Sequence, residues 1–523
     1  MKQFIITTFA ALVLAVSTRA ELHLASPFTS HMVLQCDARV PVWGTADAGE
    51  KITVEFAGQK VSATTDADGN WKVELKPMPA NAESRTLVVT GNRKAAYENQ
   101  QCDDVLVGEV WLASGQSNMD FTLSKKVKRF AGVTNEEQEI AAANFPLIRM
   151  FTGESVRTNA PQSRVAGEWK VCTPETAPAF SAVGYFFARD LQRELKIPVG
   201  IVTLAYGAST AEAWIRREAL AADAKLKPML DGFDAAVEKF RTNPPPVVAA
   251  PRSEDVSATN AVAVSTNTVA GKRNRSSAPR DPILDQHNPT VLFNGMIAPV
   301  MPFALRGVIW YQGESIVGGT AGRALYPRVQ ATLVRDWRKL WGVGDFPFYI
   351  VQLAGQDAAS NGPEVREAQA TILALPNTGM AVTADIGERK NVHPRNKQDV
   401  GDRLARIALA KTYGRKMEFT GPVFDSLKVE GAKLRVKFSH ADGLNARDGA
   451  LKWFTVAGAD GKFAGANAKI DGNSVVVSST NVLAPTTVRY AWANFPDGGH
   501  LYNAAGLPAV PFRSDAPKDF DLK

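Results

Sequence analysis

The spacing of apolar residues divides the chain into three regions. Over residues 21–104, short segments alternate apolar and polar residues, and turn-forming stretches such as DAGE and DADGN separate them. Alternation with a period of two, interrupted by tight turns, is typical of β-strands with one buried face. We therefore predict an N-terminal β domain of the sandwich type over these residues.

Residues 416–523 return to the same pattern, with segments such as KLRVKFSH, SVVVSS and TTVRYAWAN. They predict a C-terminal β-rich segment that is sandwich-like in character. Two arrangements stay open, because the segment either forms a separate unit or completes a sandwich with the N-terminal strands.

The middle of the chain, residues 105–415, follows a different pattern. Continuous apolar runs such as VWLAS, IVTLAYG and GMAVTAD alternate with helical stretches. In one of these stretches Phe180, Val183, Phe187 and Leu191 recur at helical spacing. Alternating β and α segments predict an α/β fold with a parallel sheet covered by helices on both faces.

Two further segments are set apart by composition. Residues 1–20 combine Lys2, a short apolar core and the small residues of STRA, which is the pattern of a cleaved secretory signal peptide. Residues 244–281 are rich in Pro, Ala, Ser, Thr and Asn without periodicity, and we expect a flexible insertion there. The protein is therefore expected to be secreted or periplasmic, without a membrane span.

Charge and cysteine content exclude several classes of protein. The net charge is +7, but the basic residues are spread along the chain, which argues against a nucleic-acid partner. The three cysteines, Cys36, Cys102 and Cys172, leave open either a Cys36–Cys102 disulfide or three free thiols. No CxxC or HExxH spacing occurs, so we expect no metal site and no cofactor.

The ends of four predicted strands carry residues suited to catalysis. VWLAS leads to Ser117, IVTLAYG ends at Gly207, VIWYQ ends at Gln312, and the MAVTAD strand leads through a loop to His393. In open α/β sheets, sites form beyond the carboxyl ends of the strands. A nucleophile, oxyanion donors and a general base at these positions together predict serine-based acyl transfer.

Each of these residues also has a purely structural interpretation. A serine after a strand commonly caps a helix, and a histidine before a proline commonly belongs to a turn. The nucleophile motif of the α/β-hydrolases, G-x-S-x-G, is excluded because Met119 stands where its second glycine would be. The prediction therefore depends on the four strand ends together.

The segments GEVWLASGQSNMDF, VIWYQGES and DIGERKNVHPRNKQDVGDRLA resemble the sialate O-acetylesterase family of SGNH-type serine hydrolases. MVLQ and VPVWG near the start, and HLYNAAGLPAVPFRSD near the end, extend the resemblance over nearly the whole chain. The resemblance implies a three-layer α/β/α domain of the SGNH type. It also implies a serine esterase that removes O-acetyl groups from sialic acids through an acetyl-serine intermediate.

Individual roles follow from this resemblance. Ser117 matches the nucleophile and His393 the catalytic base. The N–H groups of Ser117 and Gly207, with the amide of Gln312, match the oxyanion hole. The second glycine that usually follows Gly207 in the family is replaced by Ala208.

The acid behind His393 does not follow directly, because Lys390 occupies the position three residues earlier where an aspartate is common. We expect Asp385 to take this role, since it ends a predicted strand. There are two alternatives. One is Glu388, and the other is a backbone carbonyl near Asn391, which would leave a Ser–His dyad.

The substrate is predicted less directly than the chemistry. A sialic acid carries a carboxylate, and Arg366 is the candidate to bind it. Trp214 and Trp310 are candidates for contact with a sugar ring, although tryptophans are more often core residues. Three hypotheses remain: a sialic acid O-acetylesterase, an acetylesterase for another sugar such as xylan, and a non-catalytic carbohydrate-binding protein. The sequence does not determine the oligomeric state.

Overall fold

The computed structural model describes residues 21–92, 99–244, 280–316, 320–357, 362–447, 449–516 and 522. The expected signal peptide, residues 1–20, and residues 245–279 of the expected insertion lie outside the described residues.

Seven strands precede the central sheet. β1 pairs with β3, which pairs in turn with β6, while β4 pairs with β5 and β7, all antiparallel. Several of them bury alternate residues, as the period of two predicts. The strands are β1 (His23–Leu24), β2 (Val33–Gln35), β3 (Val40–Thr45), β4 (Lys51–Phe56), β5 (Gln59–Thr64), β6 (Asn70–Leu75) and β7 (Asn81–Gly91).

One long strand, β8 (Gln100–Gly115), joins these strands to the central sheet. Its first half pairs with β2 and β7, and its second half lies between two strands of the central sheet. The second half is buried throughout, as expected for a strand with neighbours on both sides and both faces covered. The N-terminal strands and the central sheet therefore share one hydrophobic core.

The central sheet runs in the order β10-β9-β11-β8-β12-β13-β14. All pairs from β9 to β14 are parallel, which confirms the predicted α/β class, but β10 lies antiparallel at the edge. The sheet is therefore mixed. Its strands after β8 are β9 (Phe145–Gly153), β10 (Gly167–Cys172), β11 (Val199–Ala205), β12 (Gly307–Tyr311), β13 (Phe348–Val351) and β14 (Thr378–Ala381).

The helices of the middle region largely follow the predicted spacing. The Ser181 hydroxyl accepts a hydrogen bond from the Gly184 N–H at 3.2 Å and caps the helix that follows. Residues 217–230 are divided between two helices, because Pro228 favours a new helix start. The helices are α1 (Ser117–Asp120), α2 (Glu136–Ala141), α3 (Ala182–Leu195), α4 (Arg217–Ala221), α5 (Lys227–Thr242), α6 (Thr320–Trp341), α7 (Gly362–Ala370) and α8 (Gln398–Lys411).

The C-terminal strands have their own hydrophobic core. Two four-stranded sheets, β15-β16-β21-β20 and β19-β18-β22-β24, supply its residues, and β17 pairs with β23. The strands are β15 (Val423–Glu430), β16 (Lys433–Ser439), β17 (Asn445–Ala446), β18 (Phe454–Ala457), β19 (Ala464–Gly465), β20 (Asn467–Asp471), β21 (Ser474–Ser478), β22 (Thr487–Tyr490), β23 (Leu501–Tyr502) and β24 (Phe512–Arg513).

The structure answers one question that the sequence left open, the state of the three cysteines. Cys36, Cys102 and Cys172 are all free and buried, so the alternative of three thiols is the one observed. Within the described ranges, no helix is long and apolar enough to cross a membrane.

Candidate active site

Three of the expected site residues meet because their strands are parallel neighbours. In the central sheet, Gly115 of β8 pairs with Ala205 of β11 on one side and with Tyr311 of β12 on the other. The carboxyl ends of the three strands therefore lie at one edge of the sheet. Ser117, Gly207 and Gln312 each follow one of these ends within two residues.

The turn before Ser117 requires glycine at position 115. Gly115 has φ +132°, and a Cβ there would lie 2.2 Å from the carbonyl oxygen of Tyr311. The next residue, Gln116, donates its N–H to the same carbonyl at 2.9 Å and accepts a hydrogen bond from the Gly313 N–H at 3.2 Å. The turn thus holds Ser117, half-buried, at the start of the short helix α1.

The Ser117 Oγ and the His393 Nε2 lie 2.8 Å apart, although the two residues are 276 positions apart in sequence. The edge of the Phe130 ring packs against the imidazole, with ring centroids 5.0 Å apart. Burial, followed by the nearby positive charge of Lys397, lowers the pKa of His393 to about 4. The imidazole is therefore neutral near pH 7, as a proton acceptor for the serine hydroxyl must be.

The loop that carries His393 is held by the side chain of Asn391. Its Oδ1 accepts from the His393 N–H at 3.0 Å, and its Nδ2 donates to the His393 carbonyl at 2.8 Å and to Glu388 at 3.0 Å. Glu388 also accepts a hydrogen bond from the Arg395 N–H at 2.6 Å. Glu388 therefore binds the loop around the histidine rather than the imidazole.

Asp385 is not placed behind His393, contrary to the expectation from sequence. Its two carboxylate oxygens accept from the Arg403 guanidinium at 2.7 Å each, and one also accepts from the Tyr502 hydroxyl at 3.1 Å. Within the described contacts, none joins a carboxylate to the imidazole of His393. Arg403 is buried, and a buried guanidinium requires a paired anion, which explains why Asp385 is committed to it.

The expected oxyanion residues Gly207 and Gln312 have different surroundings. Gly207 is adjacent to it, since a Cβ on Gly207 would lie 3.8 Å from the Ser117 Cβ. Ala208, next in the chain, adopts φ 56°, a conformation that glycine adopts more readily. The Gln312 side chain is fully buried, donates to the Ser209 carbonyl at 3.1 Å and accepts from the Tyr326 hydroxyl at 2.9 Å.

The residues expected to bind substrate are in the interior. Arg366 is 1% exposed, donates to the Ala493 carbonyl, and has its pKa lowered by burial to about 10. It is therefore not presented to a substrate, and the expected role is not supported. Trp214 and Trp310 are buried and pack edge-to-face with centroids 5.9 Å apart, so they are core residues.

Three polar residues next to the site were not among those that the sequence indicated. Asn118, Glu314 and Lys397 form a hydrogen-bonded group, in which Asn118 directly follows Ser117. All three belong to the quoted motifs, so a polar residue inside a motif segment was the available signal. In the described part of the chain, no group of three or more His, Cys, Asp or Glu residues is arranged to hold a metal ion.

A serine hydroxyl hydrogen-bonded to a histidine, at the carboxyl edge of a largely parallel sheet, is the arrangement of a serine-based acyl-transfer enzyme. Similarity to known proteins narrows this class to the carboxylic ester hydrolases. A family model described as "Carbohydrate esterase, sialic acid-specific acetylesterase" matches residues 286–410. The crystal structure of a carbohydrate acetylesterase from Xanthomonas citri is similar, with a TM-score of 0.78 and 35% identity, over 95% of this chain and 100% of that one.

Curated relatives agree with these matches. The sialate O-acetylesterase of Rattus norvegicus is 26% identical over 551 residues, which cover 93% of each chain. The sialate O-acetylesterase of Homo sapiens is 26% identical over 534 residues, 93% of this chain and 91% of the human one. The chain belongs to the carbohydrate acetylesterase family that includes the sialate O-acetylesterases.

Proposed function

We propose that the protein removes O-acetyl groups from sialic acids, with Ser117 as nucleophile and His393 as general base. The observation that supports this most directly is the 2.8 Å contact between Ser117 Oγ and His393 Nε2 at the carboxyl edge of the sheet. The near full-length similarity to sialate O-acetylesterases supports the choice of substrate.

In the proposed reaction the Ser117 oxygen attacks the acetyl carbonyl while its proton passes to His393. The N–H groups of Ser117 and Gly207, with the Gln312 amide, stabilise the tetrahedral oxyanion. His393 then gives its proton to the departing sugar oxygen, which leaves an acetyl-serine. Water attacks this ester, again through His393, and acetate is released with the serine restored.

His393 acts in this scheme without a carboxylate partner, so the catalytic pair is a Ser–His dyad. In a triad, a third residue orients the imidazole directly. Here the hydrogen bonds of Asn391 to the N–H and the carbonyl of His393 fix the backbone that carries the imidazole. A neutral imidazole needs no anion in the resting state, and its low pKa is consistent with this.

A sialic acid carboxylate requires a cation within reach of the site, and we propose Arg157 for this role instead of Arg366. The Arg157 guanidinium lies over the Tyr206 ring, 5.1 Å from its centroid, and Tyr206 directly precedes Gly207. Arg157 is partly exposed and donates a hydrogen bond to the Leu284 carbonyl at 2.5 Å. These contacts fix its charge close to the strand end that carries Gly207.

The finer features of the fold and location are proposed on the same grounds. Parallel strands with the site at their carboxyl ends support a three-layer domain of the SGNH type within residues 105–415. The apolar stretch that follows Lys2 supports export of the protein.

The second candidate is an acetylesterase for a neutral sugar polymer such as xylan. It is favoured by the interior position of Arg366, the residue expected to read the carboxylate, and by the carbohydrate acetylesterase neighbour.

Acetate release from 9-O-acetylated sialic acid and from acetylated xylan distinguishes the two candidates, with Ser117→Ala as the blank. We expect release from the sialic acid, none with Ser117→Ala, and unchanged folding of that variant. An active, folded Ser117→Ala protein would refute the mechanism, and release from xylan alone would establish the second candidate.

Arg157→Gln separates recognition from chemistry in the same assay. We expect kcat/KM for the acetylated sialic acid to fall at least tenfold, with little change for a neutral acetyl ester. Arg129→Gln is the matched control, since Arg129 is exposed and adjoins Phe130, whose ring contacts His393. An equal loss in the control, or none in Arg157→Gln, would exclude Arg157.

A further inference from the structure

The carboxamide of Asn118 joins the loops that carry the proposed catalytic residues. Asn118 directly follows Ser117 and is 1% exposed. Its Nδ2 donates to the Val392 carbonyl at 2.9 Å and to the Glu314 carboxylate, and its Oδ1 accepts from the Lys397 ammonium at 2.6 Å. Both of its N–H groups and its oxygen are therefore used.

Each partner of Asn118 stands close to a residue of the proposed site. Val392 immediately precedes His393, Glu314 lies two residues after Gln312, and Lys397 lies four residues after His393, just before α8. A single side chain thus binds the histidine loop to the nucleophile turn and to the loop after β12.

Two opposite charges define the orientation of this carboxamide. The ammonium of Lys397 faces its oxygen, and the carboxylate of Glu314 faces its nitrogen. A carboxamide rotated by half a turn would present its oxygen to the carboxylate and its nitrogen to the ammonium, and both contacts would be repulsive. Asn118 is therefore held in one orientation, with an N–H directed at Val392.

Lys397 is buried and Glu314 is partly buried, and these surroundings change the pKa of both groups. Burial raises the pKa of Glu314 to about 7 and lowers the pKa of Lys397 to about 7. The ammonium also lies 4.7 Å from the centroid of the Phe121 ring and 5.4 Å from that of Tyr311. Within the described contacts the two charges do not touch directly, and the Asn118 carboxamide lies between them.

We propose that Asn118 is a positioning residue that holds the His393 imidazole at hydrogen-bond distance from Ser117, with Glu314 and Lys397 fixing its orientation. The proposal rests on the Ser117–His393 chemistry proposed above. The backbone link to Val392 sets where the histidine begins, and displacement of a catalytic group by about 1 Å can cost about 10²-fold in rate.

A role in stability alone is the competing explanation, and the chain offers a matched control for it. Asn503 is 2% exposed, donates to the carbonyls of Thr420 and His440 at 2.9 and 3.1 Å, and accepts from the Leu507 N–H at 3.1 Å. Like Asn118 it donates two hydrogen bonds and accepts one, but all three go to backbone groups of the C-terminal region, outside the proposed site.

The experiment compares Asn118→Ala with Asn503→Ala in the full chain. Thermal unfolding, kcat and KM for a soluble neutral acetyl ester, and the labelling rate of Ser117 by a fluorophosphonate are measured. We expect both variants to lose thermal stability, but only Asn118→Ala to lose at least 100-fold in kcat, with KM within threefold. The labelling rate should fall with kcat, because the probe reports the Ser117–His393 contact without an acetyl substrate.

The His393→Ala background supplies a readout that a structural role would not move. If Asn118 acts through His393, Asn118→Ala should change the residual kcat of His393→Ala by less than threefold. A kcat of Asn118→Ala within threefold of the original, or an effect that multiplies fully in the His393→Ala background, would overturn the proposal.

Two further results test the role of Asn118 independently of the proposed function. If the protein releases no acetate but Ser117 is labelled, the labelling rates of the two variants still decide the role of Asn118. If Asn118→Ala does not fold, Lys397→Met decides, because it leaves Asn118 in place and removes one charge that orients it. We then expect roughly a tenfold fall in labelling rate, and an unchanged rate would refute the positioning role.

Discussion

Both carboxylate oxygens of Asp385 accept hydrogen bonds from the guanidinium of Arg403, each at 2.7 Å. Both side chains are almost completely buried, at 3% and 6% exposure. This pair takes the carboxylate nearest to the end of β14 out of the catalytic group. The remaining support of His393 near this strand end is the side chain of Asn391, which hydrogen-bonds the backbone of His393.

The pair gives a first prediction, for Asp385→Asn. Removal of one partner leaves Arg403 buried without its anion, which typically costs about 3–5 kcal/mol. We expect a clear loss in the free energy of unfolding, with kcat within threefold wherever the variant is folded.

Asp399→Asn is the control for that prediction, since Asp399 lies 3.7 Å from the same guanidinium but is 47% exposed. Its effect on stability should be below about 1 kcal/mol. A fall in turnover of about 10²-fold or more in folded Asp385→Asn would instead restore Asp385 as the triad acid.

The pH dependence of kcat/KM should report the low pKa of His393. The imidazole is active as a base only when unprotonated, so activity rises with pH through the pKa of about 4 and not through the usual 6.5. With a neutral acetyl ester, we expect kcat/KM at pH 5.5 to be close to its plateau. Tryptophan fluorescence at each pH verifies that the protein is folded.

Lys397→Met provides the comparison for this profile, because the charge of Lys397 is one cause of the lowered pKa. The acid limb should move to higher pH but stay below 6.5, since burial, the larger cause, remains. An acid limb at pH 6.5 in the unaltered protein would contradict the buried, neutral imidazole.

Gly207→Ala tests how closely the second strand end approaches the nucleophile. The added Cβ would lie 3.8 Å from the Ser117 Cβ, next to the hydroxyl that attacks the acetyl group in the proposed reaction. We expect at least a tenfold fall in kcat/KM with normal folding.

Gly232→Ala is the control, since a Cβ there, within α5, meets nothing within 4 Å. It should stabilise the helix by about 0.5–1 kcal/mol and leave activity unchanged. Activity of Gly207→Ala within twofold would place the acetyl group elsewhere.

Glu314→Gln should change how stability depends on pH. Burial raises the pKa of Glu314 from 4.5 to about 7, so between these pH values the folded state keeps a proton that the unfolded chain has lost. A group with a raised pKa contributes its stability below the unfolded pKa and loses it as pH rises through the folded value. Relative to the glutamine variant, the protein should therefore lose stability between pH 4.5 and 7.

The size of this loss is about 3 kcal/mol, from a shift of about 2.5 pH units at 1.36 kcal/mol each. Urea unfolding of both proteins at pH 5 and pH 8 should show about 2.5 kcal/mol of this loss, because the remainder has already occurred at pH 5. An unchanged difference between the two proteins at the two pH values would show that Glu314 does not titrate in this range.

The α/β class and the identity of the strand ends were accessible from the sequence because they depend on local patterns. Buried parallel strands are continuous apolar runs, and the residues that follow them are polar where the chain turns. Ser117, Gly207, Gln312 and His393 were singled out in this way. The division of β8 between two sets of strands was not, because pairing partners are not encoded in the strand's own pattern.

The residues that hold His393 in place could not be predicted from how close they are to it in the sequence. Asp385 is only eight residues from His393 but binds Arg403, whereas Asn118, 275 residues away, binds the carbonyl next to it. Similarly, Arg366 occurs in a polar helical segment but is buried where α7 meets the C-terminal strands at Ala493.

The sequence by itself thus determined the elements, the nucleophile candidate and the chemistry, because alternation, turn residues and motif spacing are properties of neighbouring positions. Only the tertiary structure decided which buried charges pair and which side chains hydrogen-bond around the proposed catalytic pair. A buried charge takes the partner that best offsets its desolvation, and that partner is selected by proximity in space rather than along the chain.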